Sequence, residues 1–332
     1  MKNKILQLLT LFVLLASCSE DFITKDEDKS RYAPNTFYTT KEHAIQALNA
    51  AYSGLNGWPN GYTWSIGIMH FVLGDDLYQT GYAAGFGTWG AVSEFNFPTG
   101  WPIDDVWNGY YGNILKCNVA LEVMPEAQKA ANDPTFTQDV LNLYMGQAYF
   151  LRAFFYYNLF QYFPQDKIII RRGVPKDEKD FLKAPSPADS VFAFIESDLK
   201  NAQNLLVKGL NTTSGYEKGR ATRGAAAALL GKLYINKGMY DKAAAEFKKI
   251  LPDVGDASYG TYSLVDNYRD NFTRSGENNN ESVFEIQFND MNQQGAWSNN
   301  DVNWIFQNFT LNRTSWPIMW WNWAVPNFKL NE

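Results

Sequence analysis

Histidine and cysteine are nearly absent: the 332 residues hold two of each, His43 and His70, Cys18 and Cys117. That scarcity excludes a disulfide framework and a zinc cluster, and it leaves too few imidazoles for a Ser-His-Asp constellation. No Gly-Lys-Ser/Thr stretch is present to cradle a phosphate. Basic charge is in deficit, with 29 Lys+Arg against 35 Asp+Glu for a net charge of -6, which argues against nucleic acid as a partner. The apolar run from Ile5 to Leu15, interrupted by Gln7 and Thr10, is too short to span a bilayer. Tryptophan is also missing from the middle of the chain: of 11, five lie between 58 and 107 and six between 297 and 323.

What remains is the composition of a folded protein, 45% apolar and 19% charged, with room for one extended helical domain or two compact ones. Residues 1–17 have a basic start (Lys2, Lys4) and a short apolar core ending in small residues, the build of a signal peptide. Leu15-Ala16-Ser17-Cys18 is the pattern of a bacterial lipoprotein cleavage site, so Cys18 is expected to become the lipid-bearing N-terminus.

The clearest structural signal runs from Gly219 to Pro252 and encodes two helices. Thr222 is placed to cap the first and Gly238 to stop it, because glycine enters the left-handed conformation without steric cost. Asp241 is the expected cap of the second helix, which should run to Pro252. Leu230, Gly231, Tyr234, Ala243 and Phe247 fall at the offsets of a tetratricopeptide pair, where small residues allow close approach and rings fill the groove. One such pair cannot bury its apolar face alone, so further helix pairs must stack on this unit.

Other segments supply them. Thr39 and Glu42 read as a capping box for a helix with Ala44, Ile45, Leu48, Ala51, Tyr52 and Leu55 at helical spacing, ending at Ser53-Gly54. Trp107, Tyr110 and Ile114 belong to a second helix, with Trp107 as a packing residue at its start. Asp133-Pro134 or Thr135 should open a third, over about 136–163, apolar around most of its circumference and therefore buried. Arg152 sits within it and reads as a buried arginine holding carboxylates or helix carbonyls. Ser186 to Asp189 reads as another box, with Pro187 at the first helical position, before the stripe Val191, Phe194, Ile195, Leu199, Ala202 and Leu206. Alternation after Ser282 predicts a short strand, up to Phe288. The fold class expected is all-α, a tetratricopeptide-like helical repeat with long aromatic-rich loop excursions and minor β.

Several blocks together resemble the SusD/RagB family: Trp107 to Asn118, Phe150-Leu-Arg-Ala-Phe-Phe-Tyr-Tyr, Ser197-Asp-Leu-x-x-Ala202, Gly219-Arg-Ala-Thr-Arg-Gly-Ala-Ala, and Asn279 to Phe288. They occur in the family's order and cover nearly the whole chain after the signal peptide, so residues 18–332 read as one SusD-like glycan-binding domain. The acidic Ser19-Glu20-Asp21 similarly resembles a surface-export signal of Bacteroidota lipoproteins. The resemblance implies an outer-membrane, surface-exposed lipoprotein that captures polysaccharide or oligosaccharide without catalysis and hands it to a TonB-dependent SusC-like transporter. No cofactor is expected, and no residue is assigned to a metal. Pro326 to Glu332 looks like the element just before the family's C-terminal region, so the resemblance also implies that this region of the fold is missing.

Sugar rings present a face of C–H groups that an exposed Trp or Tyr can cover while Asn, Asp or Arg side chains bond the hydroxyls. The candidates for that contact are Tyr82, Trp89 and Trp101 on the first aromatic stretch, with Trp297 and Trp304 on the second. A helical-repeat protein taking a peptide ligand for the same kind of transporter is the alternative. A glycoside hydrolase is a weaker one: adjacent carboxylates such as Asp75-Asp76 rarely face each other across a bond.

Overall fold

The computed structural model describes residues 37–55, 73, 77–79, 91–92, 94–96, 99–100, 103–207, 217–287 and 324–326. Its helices are α1 (Lys41–Tyr52), α2 (Ile103–Ala130), α3 (Gln138–Tyr162), α4 (Glu178–Phe181), α5 (Ala188–Leu205), α6 (Arg223–Asn236) and α7 (Tyr240–Lys248). Except for the one-turn α4, each helix packs on the next in sequence, the order of a solenoid.

The centre of the stack is α3, not the tetratricopeptide pair. Burial takes in Phe150, Leu151, Arg152, Ala153, Phe155, Tyr156 and Tyr157, nearly a full turn on every side, because α2 and α5 cover opposite flanks. The pair α6–α7 lies at the end of the stack, and Ala243 is the buried residue of α7. Within that pair the expected close approach is present: a Cβ on Gly231 would lie 2.6 Å from the Phe247 ring. Gly238 has φ +67, the left-handed stop that its position predicts. A second, smaller core joins Ala44 and Leu48 of α1 to Met124 of α2 and Leu141 of α3.

Apart from α6, which Thr222 caps as expected, helix starts depart from the sequence reading by one to four residues. Thr40, not Thr39, caps α1, accepting from the His43 N–H at 3.2 Å, and His43 Nδ1 in turn accepts from the Thr39 N–H. Histidine thus does the reciprocal work expected of Glu42. Thr137 caps α3, whereas Asp133 turns back on Thr135. Ser186 is not a cap: its N–H bonds Ile168 and its hydroxyl accepts from the Ile170 N–H, so it is spent on the neighbouring extended segment. Asp241 sits in the first turn of α7 rather than at its cap, and α7 stops at Lys248, before Pro252.

The strand expected after Ser282 does not form. Its alternation serves packing instead, with Val283, Phe284 and Ile286 set against the core. Glu285 and Gln287 bond Asn278, so this segment is tied by side chains rather than by a ladder. Among the described residues the β content is one antiparallel pair, β1 (Leu77–Gln79) with β2 (Ala324–Pro326), Tyr78 opposite Val325. That pair sets residues 77–79, within the first aromatic stretch, beside residues 324–326, which follow the second in sequence.

Candidate functional site

Tyr82, Trp89, Trp101, Trp297 and Trp304, together with Cys18 and Asp75-Asp76, lie outside the described residues. The geometry that can be built upward is that of the surface between α2 and the segment 169–181.

Trp107, Tyr111 and Leu115 recur every four residues along one face of α2, which aligns them in a row. Across from them stand Ile169, Arg171 and Phe181, and together they line a cavity of about 270 Å³. Trp107 is half-buried and packs as the sequence predicts, 4.8 Å from the Tyr111 ring and 5.0 Å from Phe163, yet it also lines this cavity.

The opposite wall is held by side chains acting in place of a partner strand. The Tyr111 hydroxyl accepts from the Ile169 N–H at 2.7 Å, and that of Tyr156 accepts from the Arg171 N–H at 2.6 Å. Both hydroxyls donate to the Ile169 carbonyl, each at 3.2 Å. Burial pushes the Tyr111 phenol up to about 12 and raises that of Tyr156 as well.

Beneath the wall lies Arg152, in the role that the sequence assigns. Its Nε and Nη2 make a bidentate pair with Asp198 at 2.7 and 2.8 Å, and Nη1 donates to Asn118 Oδ1 at 2.8 Å. Asn118 then donates to the carbonyls of Arg171 and Gly173 at 2.9 and 3.3 Å. Burial opposes the charge on Arg152, but the bonds and charge of Asp198 outweigh it, so the guanidinium is held even more firmly protonated. This node fixes the shape of the cavity wall and presents no group for catalysis.

Phe181 was not legible as a surface feature, although Phe181-Leu182 interrupts an otherwise charged run. It is 62% exposed on α4, a single turn pinned at both ends. Asp177 accepts from the Asp180 N–H at 3.1 Å, and the Arg171 guanidinium donates to the carbonyls of Asp180 and Phe181. The Lys176 N–H, with Lys183 nearby, holds the Asp180 carboxyl below its ordinary range. The cavity's polar side chains are therefore spent on its own walls, and what faces a ligand is largely apolar. Among the described residues no three His, Cys, Asp or Glu gather as a metal site, and no helix is long and apolar enough to cross a membrane.

A family model described as "Starch-binding associating with outer membrane" (SusD-like) matches residues 90–235, the span from the first aromatic stretch through α6. A SusD-like protein of Bacteroides ovatus is 26% identical over 298 residues, 87% of this chain and 50% of that one. Over this span the chain is similar to the SusD-like family. Solved SusD-like structures share its fold. A laminarin-binding SusD-like protein superposes with TM-score 0.61 at 25% identity, over 74% of this chain and 51% of that one. Surface glycan-binding protein A of Bacteroides thetaiotaomicron, in complex with laminarihexaose, superposes with TM-score 0.59 at 22% identity, over 75% and 50%. The chain spans about half the length of the curated relatives it matches.

Proposed function

We propose that this SusD-like chain binds a polysaccharide or oligosaccharide without cleaving it and passes it to a TonB-dependent SusC-like transporter. The observation that carries the reading is the shared fold with a laminarin-binding SusD-like protein, joined to the segregation of all 11 tryptophans into two stretches. The antiparallel pairing of Tyr78 with Val325 supports a common surface built from both stretches. On this reading Tyr82, Trp89 and Trp101 stack on sugar from one side and Trp297 and Trp304 from the other. Cys18 carries the lipid that tethers the protein to the outer membrane, facing outward, after residues 1–17 are removed. Several stacked rings give micromolar to millimolar affinity, roughly -8 to -4 kcal/mol, weak enough for release to a pore.

The test is retention in native gels containing each of a panel of polysaccharides, laminarin included, by the protein from Ser19 onward, with reducing ends assayed alongside. Retention without cleavage, lost in Trp89→Ala or Trp101→Ala, supports the reading. Release of reducing ends revives the hydrolase. The apolar cavity of Trp107, Tyr111 and Phe181 favours a second reading, capture of a peptide through an apolar side chain, which no retention by any glycan would bring forward.

A further inference from the structure

Between Asp266 and Asn280 the chain carries two apolar side chains, Tyr268 and Phe272, and every other residue is polar, charged or glycine. Both stand on one short 3-10 helix, Tyr268–Phe272. Their rings meet edge to face, 5.1 Å between centroids and 65° between planes, yet they are 74% and 70% exposed.

The frame that mounts them is polar. Asn267 Oδ1 accepts from the Arg269 N–H at 3.1 Å, and the Thr273 N–H and hydroxyl both donate to the Asp270 carbonyl, at 3.2 and 3.0 Å. Gly276 lies against the same carbonyl, so closely that no side chain fits there. The Asn279 amide donates to Asn271 Oδ1 at 2.8 Å and the Glu281 carboxylate accepts from the Val265 N–H at 3.1 Å, which ties the turn to residues 279–281. The rings are thus held outward by a frame that does not bury them. Single exposed apolar residues are ordinary, but two rings packed on each other on a fixed turn make a platform.

The polarity around the platform decides what it suits. A protein contact wants roughly 800 Å² of covered surface a side with an apolar centre. A sugar wants a ring face with amides, carboxylates and guanidinium groups nearby, and Asp266, Asn267, Arg269 and Asp270 are what the sequence sets beside these two rings.

We propose that Tyr268 and Phe272 form a sugar-stacking contact of their own, outside both tryptophan-bearing stretches, in which the ring pair covers the C–H face of a pyranose residue. This rests on the glycan reading above and adds to it a contact and the residues that make it.

The test uses the protein from Ser19 onward in the same polysaccharide gels, with the melting temperature measured alongside. Tyr268→Ser/Phe272→Ser should weaken retention by the polymer that holds the wild type about two- to tenfold, the effect of lost stacking. The melting temperature should not change, since neither ring belongs to a core. Phe272→Leu keeps apolar bulk without a ring face and should weaken retention too, whereas Phe272→Trp should keep it. If the wild type is retained and either the double variant or Phe272→Leu is retained equally, the inference fails and the glycan reading stands. Equal retention together with wild-type self-association that the double variant loses, read by sedimentation, would assign the rings to a protein contact instead. No retention of the wild type by any polymer overturns the glycan reading and this contact with it.

Discussion

The hydroxyls of Tyr111 and Tyr156, from different helices, donate to one carbonyl, that of Ile169. Two phenols thereby replace the neighbouring strand that the extended segment 168–171 lacks, and the segment becomes a firm wall of the cavity. Because burial raises the Tyr111 phenol from 10.0 to about 12, the unfolded chain loses this proton before the folded one does. The stabilisation is complete below pH 10 and is lost as pH climbs through 12. Urea midpoints at pH 9, 11 and 12, followed with tyrosinate absorbance, should fall in the wild type and fall less steeply in Tyr111→Phe. That variant should also be weaker at neutral pH by about 1–3 kcal/mol, for the unpaired Ile169 N–H.

Arg152 and Asp198 should behave as a unit. Breaking the pair from one side, as in Arg152→Met, strands a buried carboxylate and should cost about 3–5 kcal/mol in chemical denaturation. The double variant Arg152→Met/Asp198→Leu should recover part of that loss. A single variant no worse than the double would show that the pair is not coupled.

Gly231 tests the packing of the tetratricopeptide pair. An alanine there meets the Phe247 ring at 2.6 Å, an overpacking that should cost about 1–3 kcal/mol. Phe247→Leu in the same chain should restore part of the melting temperature, because it makes room for the methyl group. Absence of rescue would place the strain elsewhere.

Gly238 separates conformation from contact. Nothing lies within 4 Å of its absent Cβ, yet φ is +67. Gly238→Ala should therefore cost about 1–2 kcal/mol through the backbone alone. No compensating change in a neighbouring side chain should rescue it.

The helices were legible where the chain writes both a period and a cap. Thr222 caps α6 as its position predicts, and the stripe from Val191 to Leu206 is buried throughout. Legibility failed where two adjacent residues could each do the capping, as with Thr39 and Thr40, or where tertiary structure claimed the side chain first, as with Ser186. The alternation after Ser282 was read as a strand and instead marks residues packed on the core, since period alone does not supply a ladder partner. Arg152 could be recognised because a charge inside an apolar helix demands a partner; which partner it takes, Asp198, is set by packing. The cavity beside Phe181 escaped notice because its lining comes from three separate segments, none unusual alone.

The Tyr52 hydroxyl donates to Gln147 and accepts from the Ala221 N–H, a bond between residues 169 positions apart. Arg220 lies over the same ring at 4.6 Å. In kinetic terms this is a long loop to close, and its entropy must be lost before the contact is made. During synthesis α1 cannot be secured on this side until residue 221 has emerged, so the first of the described helices to be made is among the last to be locked. Pulse-labelled hydrogen exchange should find α3 and α5 protected well ahead of it.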